Sequence, residues 1–256
     1  MKITQIRNAT LRIEFGELRF LVDPVLADKG SYPGFPGTYN DHLKWPTVDL
    51  PLPVSDIIDA DAVIVTHTHE DHLDRAAMAA IGKDMPVFAQ HEKDAQLIRK
   101  AGFIDVRMLT EKSTFGGVSL IKTPGRHGSD KVMAAIGKRL GEVCGVLFTS
   151  GDEKTLYIAG DTIFNRYVED TLRRYAPDVI ILNSGDAQVP GLGSIIMNKE
   201  DVYEVFKAAP RATLIASHME AVNHAALTRG ALREYAAETG MTERLLVPED
   251  GETLVF

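Results

Sequence analysis

The sequence predicts an α/β fold in which two β-sheets are flanked by helices, and three observations predict it. The first 23 residues carry β-rich runs in close succession, and the residues after Ile57 alternate apolar strand runs with amphipathic helices. The middle of the chain then returns to strands. In order, Ile3 to Ile6, Leu11 to Phe15 and Leu18 to Val22 read as a meander, with Gly16 turning between the last two. Residues 24–54 hold half of the twelve prolines, together with Tyr32, Phe35, Tyr39 and Trp45. They read as one long ordered loop that walls or covers a site. AVIV at 62–65 is a buried strand, and a helix follows with Leu73, Ala76, Ala77, Ala80 and Ile81 on one face. Val87 to Ala89 is a strand, and residues 91–100 form a helix closed by Gly102. Strands are expected at 104–109, 118–123, 132–137, 143–149 and 154–159. A helix at 165–175 and a strand at 178–182 come next. A helix using Val202, Val205, Phe206 and Ala209, a strand at 212–216 and a helix through Leu232 and Tyr235 complete the series. No linker, low-complexity tract or short repeat interrupts it, so residues 1–256 are expected to form one domain.

Composition bounds the function. A chain of 256 residues with 45% hydrophobic and 25% charged residues can bury a sizeable core. Lys plus Arg number 28 against 36 for Asp plus Glu, a net charge of −8, which argues against a broad nucleic-acid-binding face. No apolar run approaches a membrane span, and MKITQIRNATLRIEF alternates like a strand rather than a signal peptide. A cytoplasmic protein with a small-molecule substrate is expected, and its oligomeric state is left open. The single Cys144 excludes an intrachain disulfide and a Cys-rich zinc module, and reads as a small core residue.

The histidines carry the chemistry. VTHTHEDHLD places His67, His69, Asp71 and His72 between a buried strand and a helix. His-x-His leaving a strand directs two imidazoles at one metal, and Asp71 and His72, a helical step on, turn toward a second. Other strands end in small-residue turns bearing ligand-type side chains: His127 in TPGRHG, Asp161 in AGDT, Asn183 in LNSGD and His218 in ASHME. Such turns bring distant segments together at a sheet rim.

These residues resemble the metallo-β-lactamase fold superfamily, whose mark is His-x-His-x-Asp-His followed by a separate His, Asp and His. The resemblance covers nearly the whole chain and implies an αββα sandwich with two divalent metal ions, Zn2+ first, with Mn2+ or Fe2+ as alternatives. It implies His67, His69 and His127 on one metal, Asp71, His72 and His218 on the other, and Asp161 bridging both. Asp23, in LVDP, resembles the buried acid that supports the His loop from behind. The segment SHMEAVNHAALTR resembles a bacterial group of metal-dependent hydrolases similar to the ascorbate-phosphate lactonase branch.

The implied reaction is hydrolysis of an ester, lactone or phosphodiester of a small, anionic or neutral metabolite. Two ions about 3.5–4 Å apart hold a hydroxide that is nucleophilic at neutral pH. Asp71 and Asp161 serve the catalytic centre, and His224 is the candidate for protonating a leaving group. Arg126, Asn183 and Arg229 are expected to contact substrate, the arginines by taking up an anionic group. His42 and His91 belong to no motif. Two alternatives stay open: an iron-dependent oxidoreductase on the same fold, and a non-catalytic protein that keeps the metal as structure.

Overall fold

A computed structural model describes residues 1–256. Strands β1 (Lys2–Arg7), β2 (Thr10–Phe15) and β3 (Leu18–Val22) form the expected antiparallel meander. After one helical turn, α1 (Val54–Ile57), the chain continues through β4 (Ala62–Val65), α2 (Arg75–Ala80), β5 (Val87–Ala89), α3 (Glu92–Lys100) and β6 (Val106–Met108). Strands β3 to β6 run parallel. Next come β7 (Ser113–Phe115), β8 (Val118–Pro124), α4 (Asp130–Leu140), β9 (Cys144–Thr149), β10 (Leu156–Ile158) and α5 (Arg166–Tyr175). The chain ends with β11 (Val179–Asn183), a two-stranded ribbon of β12 (Gln188–Val189) and β13 (Gly193–Ser194), α6 (Lys199–Ala208), β14 (Thr213–Ser217), α7 (Arg229–Thr239), β15 (Leu245–Leu246) and β16 (Thr253–Val255).

The long strands assemble into two seven-stranded sheets, ordered β16-β1-β2-β3-β4-β5-β6 and β15-β14-β11-β10-β9-β8-β7. Period-two alternation decides which side chains meet. Ile13, Phe15, Phe20, Val22 and Ile64 face Val146, Phe148, Ile158 and Ile181 of the other sheet across one core. Phe148 stands edge-on to Phe20 at 5.3 Å between ring centroids. The alternate residues Leu21, Val63 and Val65 pack outward on Ala77, Ala95 and Ile98 of α2 and α3. Ile180, Leu182 and Leu214 pack on Val168, Val202 and Leu232 of α5, α6 and α7. The result is an αββα sandwich.

One expectation fails. Residues 132–137 are not a strand but the centre of α4. The apolar run VMAAI suggests β-structure, yet the Ser129 side chain accepts from the Val132 amide and caps a helix. Val132, Ile136 and Leu140 then fall one turn apart on a single face, and Gly141 at φ +70° ends it. The strand expected at 104–109 shrinks to three residues, and β7, β15 and β16 were not anticipated. Residues 24–53 contain no helix or strand and only one isolated bridge, Tyr32 to Trp45. Their anchor is Trp45, 1% exposed and packed with Val25 and Val222.

Candidate metal centre

The site lies on one rim of the sandwich, where β3, β4, β8, β10, β11 and β14 end. Asp23, His67, His127, Asp161, Asn183 and His218 each follow, or in the case of Asn183 close, one of these strands. The turns are tight. Asp23 and His218 take left-handed backbone at φ +46° and +56°, strain typical of functional rims. Gly160 is required in the AGDT turn, because a Cβ there would lie 2.4 Å from the Cys144 carbonyl oxygen.

The structure brings all seven expected ligands together. Their nitrogen and oxygen atoms form three groups: His67, His69 and His127; His67, His72 and Asp161; and Asp71, His72 and His218. Asp161 lies between them, with Oδ2 3.6 Å from His127 Nε2 and 3.1 Å from His72 Nε2, and Oδ1 3.7 Å from His218 Nε2. His218 Nε2 is also 3.6 Å from Asp71 Oδ2.

Hydrogen bonds behind the rings aim their bare nitrogens inward. His72 Nδ1 donates to Asp23 Oδ2 at 2.8 Å, and His127 Nδ1 donates to the Ile195 carbonyl at 2.7 Å. Asp23 also accepts from the Thr66 amide at 2.8 Å and the Thr66 hydroxyl at 2.7 Å. The hydroxyl oxygen in turn lies 3.2 Å from His67 Nδ1. His67 Nε2 then faces His69 Nδ1 at 2.9 Å, and His72 Nε2 faces His218 Nε2 at 3.2 Å. Two imidazole lone pairs cannot oppose each other so closely unless a proton or a cation lies between them. A mixed imidazole and carboxylate set of this kind fits divalent transition metals.

Electrostatics agree with that fit. Burial and the neighbouring His72 and His69 push His67 well below the ordinary imidazole pKa, and burial lowers His127 to about 4. Burial opposes the Asp161 carboxylate, but His72 and His218 outweigh it and hold its pKa well below the usual range. Asp71 is lowered in the same way, against burial, by His218 and His72. Burial thus favours neutral His67 and His127 beside ionised carboxylates, the form that ligates metal. At His72 burial is outweighed by Asp161 and Asp23, which raise it well above the ordinary imidazole value, so that a cation bound there would replace its second proton.

A cavity of about 260 Å³ opens above these residues. Its walls are Phe35 and Thr38 from the 24–54 loop, Ile136, Arg139 and Leu140 from α4, Val189 and Ile195. His224 lines it as well, with Nε2 3.9 Å from Asp71 Oδ2 and its pKa lowered to about 4 by burial. The loop is pinned in place by Asn223, which accepts from the Phe35 amide at 3.2 Å and donates to the Tyr39 carbonyl at 3.0 Å. Tyr39 and His42 are exposed, and His91 caps α3.

None of the three expected substrate contacts lines the cavity. Asn183 donates to Asp161 Oδ1 at 2.7 Å and so supports that carboxylate. Arg126 pairs with Asp130 and borders a separate surface recess. Arg229, 7% exposed, is enclosed by Glu220, Asp250 and the Pro248 carbonyl. Arg139 is the arginine at the cavity, and it was missed because its helix reads as a strand. The Val132, Ile136 and Leu140 spacing was the available signal.

A beta-lactamase superfamily domain matches residues 18–219, which include all seven clustered histidines and aspartates. The chain belongs to the beta-lactamase superfamily. Within it, the chain is 45% identical over 257 residues to UPF0173 protein YddR of Bacillus subtilis, covering 100% of both. It is 28% identical over 257 residues to a UPF0173 metal-dependent hydrolase of Carboxydothermus hydrogenoformans, again covering 100% of both. The crystal structure of an isothiocyanate hydrolase from Delia radicum gut bacteria superposes with a TM-score of 0.97 at 48% identity. That match covers 100% of this chain and 99% of the other. In this superfamily member no helix is long and apolar enough to cross a membrane.

Proposed function

We propose that the protein is a metal-dependent hydrolase of small, uncharged electrophiles with an apolar tail, isothiocyanates first among them. One observation carries the substrate class: the ligand cluster floors a cavity walled by Phe35, Ile136, Leu140, Val189 and Ile195. Apart from the imidazoles, its one cationic side chain is Arg139, already donating to the Pro36 carbonyl at 2.9 Å. An anionic metabolite, which was expected to meet Arg126 and Arg229, finds neither there. The isothiocyanate hydrolase relative supports the same choice.

His67, His69 and His127 would hold one divalent ion and Asp71, His72 and His218 a second, with Asp161 shared. Zinc suits this donor set best. When bound, such ions polarise the substrate and make water acidic enough to attack at neutral pH. The protein supplies the rest. Asp161, held by Asn183, keeps the two halves of the centre together. The apolar walls orient the tail and exclude bulk water. Water adds to the central carbon of R–N=C=S, forming the C–O bond and placing a proton on nitrogen. Cleavage of the C–N bond, with a second proton delivered to nitrogen, releases the amine and carbonyl sulfide. His224 Nε2, facing the cavity beside Asp71, is the group positioned to pass those protons.

The test is metal analysis of the purified protein, followed by a panel of one isothiocyanate, one neutral lactone and one phosphodiester. Two divalent ions per chain and turnover of the isothiocyanate above the others are expected. Phosphodiester turnover with an inert isothiocyanate would refute the substrate class.

A further inference from the structure

Four of the seven ligand candidates have a buried partner behind the side chain itself, and two more are held through their backbone. Thr66 sets His67, Asp23 sets His72, Ile195 sets His127 and Asn183 sets Asp161. Asn8 donates to the Asp71 carbonyl at 2.6 Å and accepts from the His218 amide at 3.0 Å. His218 Nδ1 has no hydrogen-bond partner, yet Asn8 holds its backbone; His69 has no close partner behind its ring and is not held by Asn8. It is only partly buried, and the group behind its ring is the Arg139 carbonyl, at a long 3.4 Å on the last turn of α4.

A buried carboxylate outside the cluster addresses this residue. Asp94, 5% exposed, sits in the first turn of α3, whose N-cap is His91. An acid at this position ordinarily reaches back to the start of its own helix. Here both oxygens are engaged elsewhere: Oδ1 accepts from the Thr68 hydroxyl at 2.7 Å, and Oδ2 accepts from Gln90 Nε2 at 2.9 Å. Gln90, 2% exposed, also donates to the Glu142 carbonyl at 2.7 Å, just before β9 of the opposite sheet. Thr68 is the residue between His67 and His69. The His-x-His turn is therefore clamped by two buried acids, Asp23 through Thr66 on one side and Asp94 through Thr68 on the other.

We propose that Asp94, acting through the Thr68 hydroxyl, is the positioning residue of His69. Fixing the Thr68 side chain fixes the backbone on which His69 stands, and so replaces the ring partner that His69 lacks. The inference rests on His69 being a metal ligand. Metal-free full-length protein is titrated with Co2+, followed by its d–d absorption and by chelator competition. Thr68→Val keeps the shape and removes the hydroxyl. It should weaken one of the two Co2+ ions by about ten- to a hundredfold and leave the other unchanged. Asp94→Ala should do the same, and Thr68→Ser should restore wild-type binding. Melting temperatures, measured in parallel, separate this from a merely structural role, which would lower stability and leave both Co2+ affinities alone. Wild-type titration curves for Thr68→Val and Asp94→Ala, with His69→Ala losing one ion, would overturn the inference alone. If His69→Ala also titrates like wild type, the ligand assignment falls and the inference with it.

Discussion

Replacing Asp23 by asparagine should remove one metal without unfolding the protein, and the structure says which. Asparagine tolerates the left-handed backbone at φ +46° better than other substitutes, so the turn survives. The carboxylate has three donors around it: the Thr66 amide on Oδ1, and the Thr66 hydroxyl and His72 Nδ1 on Oδ2. The amide of asparagine can keep only one acceptor. Placing its NH2 against the Thr66 backbone N–H would oppose two donors that cannot change, so the carbonyl stays there and the NH2 takes the Oδ2 position. His72 must then present Nδ1 as an acceptor, which moves its proton to Nε2, the atom facing Asp161 and His218. A protonated Nε2 cannot ligate. The lost charged hydrogen bond is worth about 1.5–3 kcal/mol. At about 1.4 kcal/mol per decade, the ion on Asp71, His72 and His218 should bind roughly ten- to a hundredfold more weakly. Elemental analysis after dialysis against graded chelator measures this. Two ions retained at wild-type affinity in Asp23→Asn would refute the tautomer argument.

Other outcomes follow from the same contacts. Arg229→Ala should lower unfolding stability by about 3 kcal/mol, because Glu220 and Asp250 lose a buried partner, while metal content stays constant; denaturant titration checks it, and selective loss of anionic-substrate binding with unchanged stability would contradict it. Ile136→Phe should narrow the cavity and raise KM for long-tailed isothiocyanates more than for short ones, read from initial rates across a chain-length series. Cys144 is fully buried, and burial pushes its thiol up to about 12, so Ellman's reagent should find no thiol in the native protein and one after unfolding.

The histidines and aspartates that cluster at the rim were legible in the sequence because their chemistry is narrow and their placement regular. A His or Asp after a small-residue turn at the end of an apolar strand has few structural uses. The strands themselves declare their ends through β-branched runs such as AVIV at 62–65 and TLIAS at 213–217. The cavity walls carry no such mark. They are ordinary apolar residues, and whether they face the site depends on which secondary structure presents them. As a strand, residues 132–137 would alternate faces and put nothing coherent over the metals. As helix α4, the same stretch directs Ile136, Arg139 and Leu140 to one side.

The misplaced arginines have a related cause. Adjacency in sequence to a ligand does not set direction. Arg126 precedes His127 on the chain, yet it turns outward to Asp130, while His127 turns inward to the Ile195 carbonyl and the ligand cluster. Arg229 begins α7, and its fate is decided by Glu220, nine residues earlier, and by Asp250, which only the folded chain brings alongside. Both arginines are held by partners of opposite charge, so releasing either to a substrate would strand a carboxylate; for Arg229 that carboxylate would be largely buried. The net charge of −8 therefore says little about the ligand. On the proposed function, the substrate would be selected by the local balance at the cavity: a floor of carboxylates and imidazoles suited to cations, beneath largely apolar walls whose charged side chains are Glu70 and Arg139. On that proposal, those two demands would be met together by a centre that keeps its charge on the metals and takes an uncharged electrophile from above.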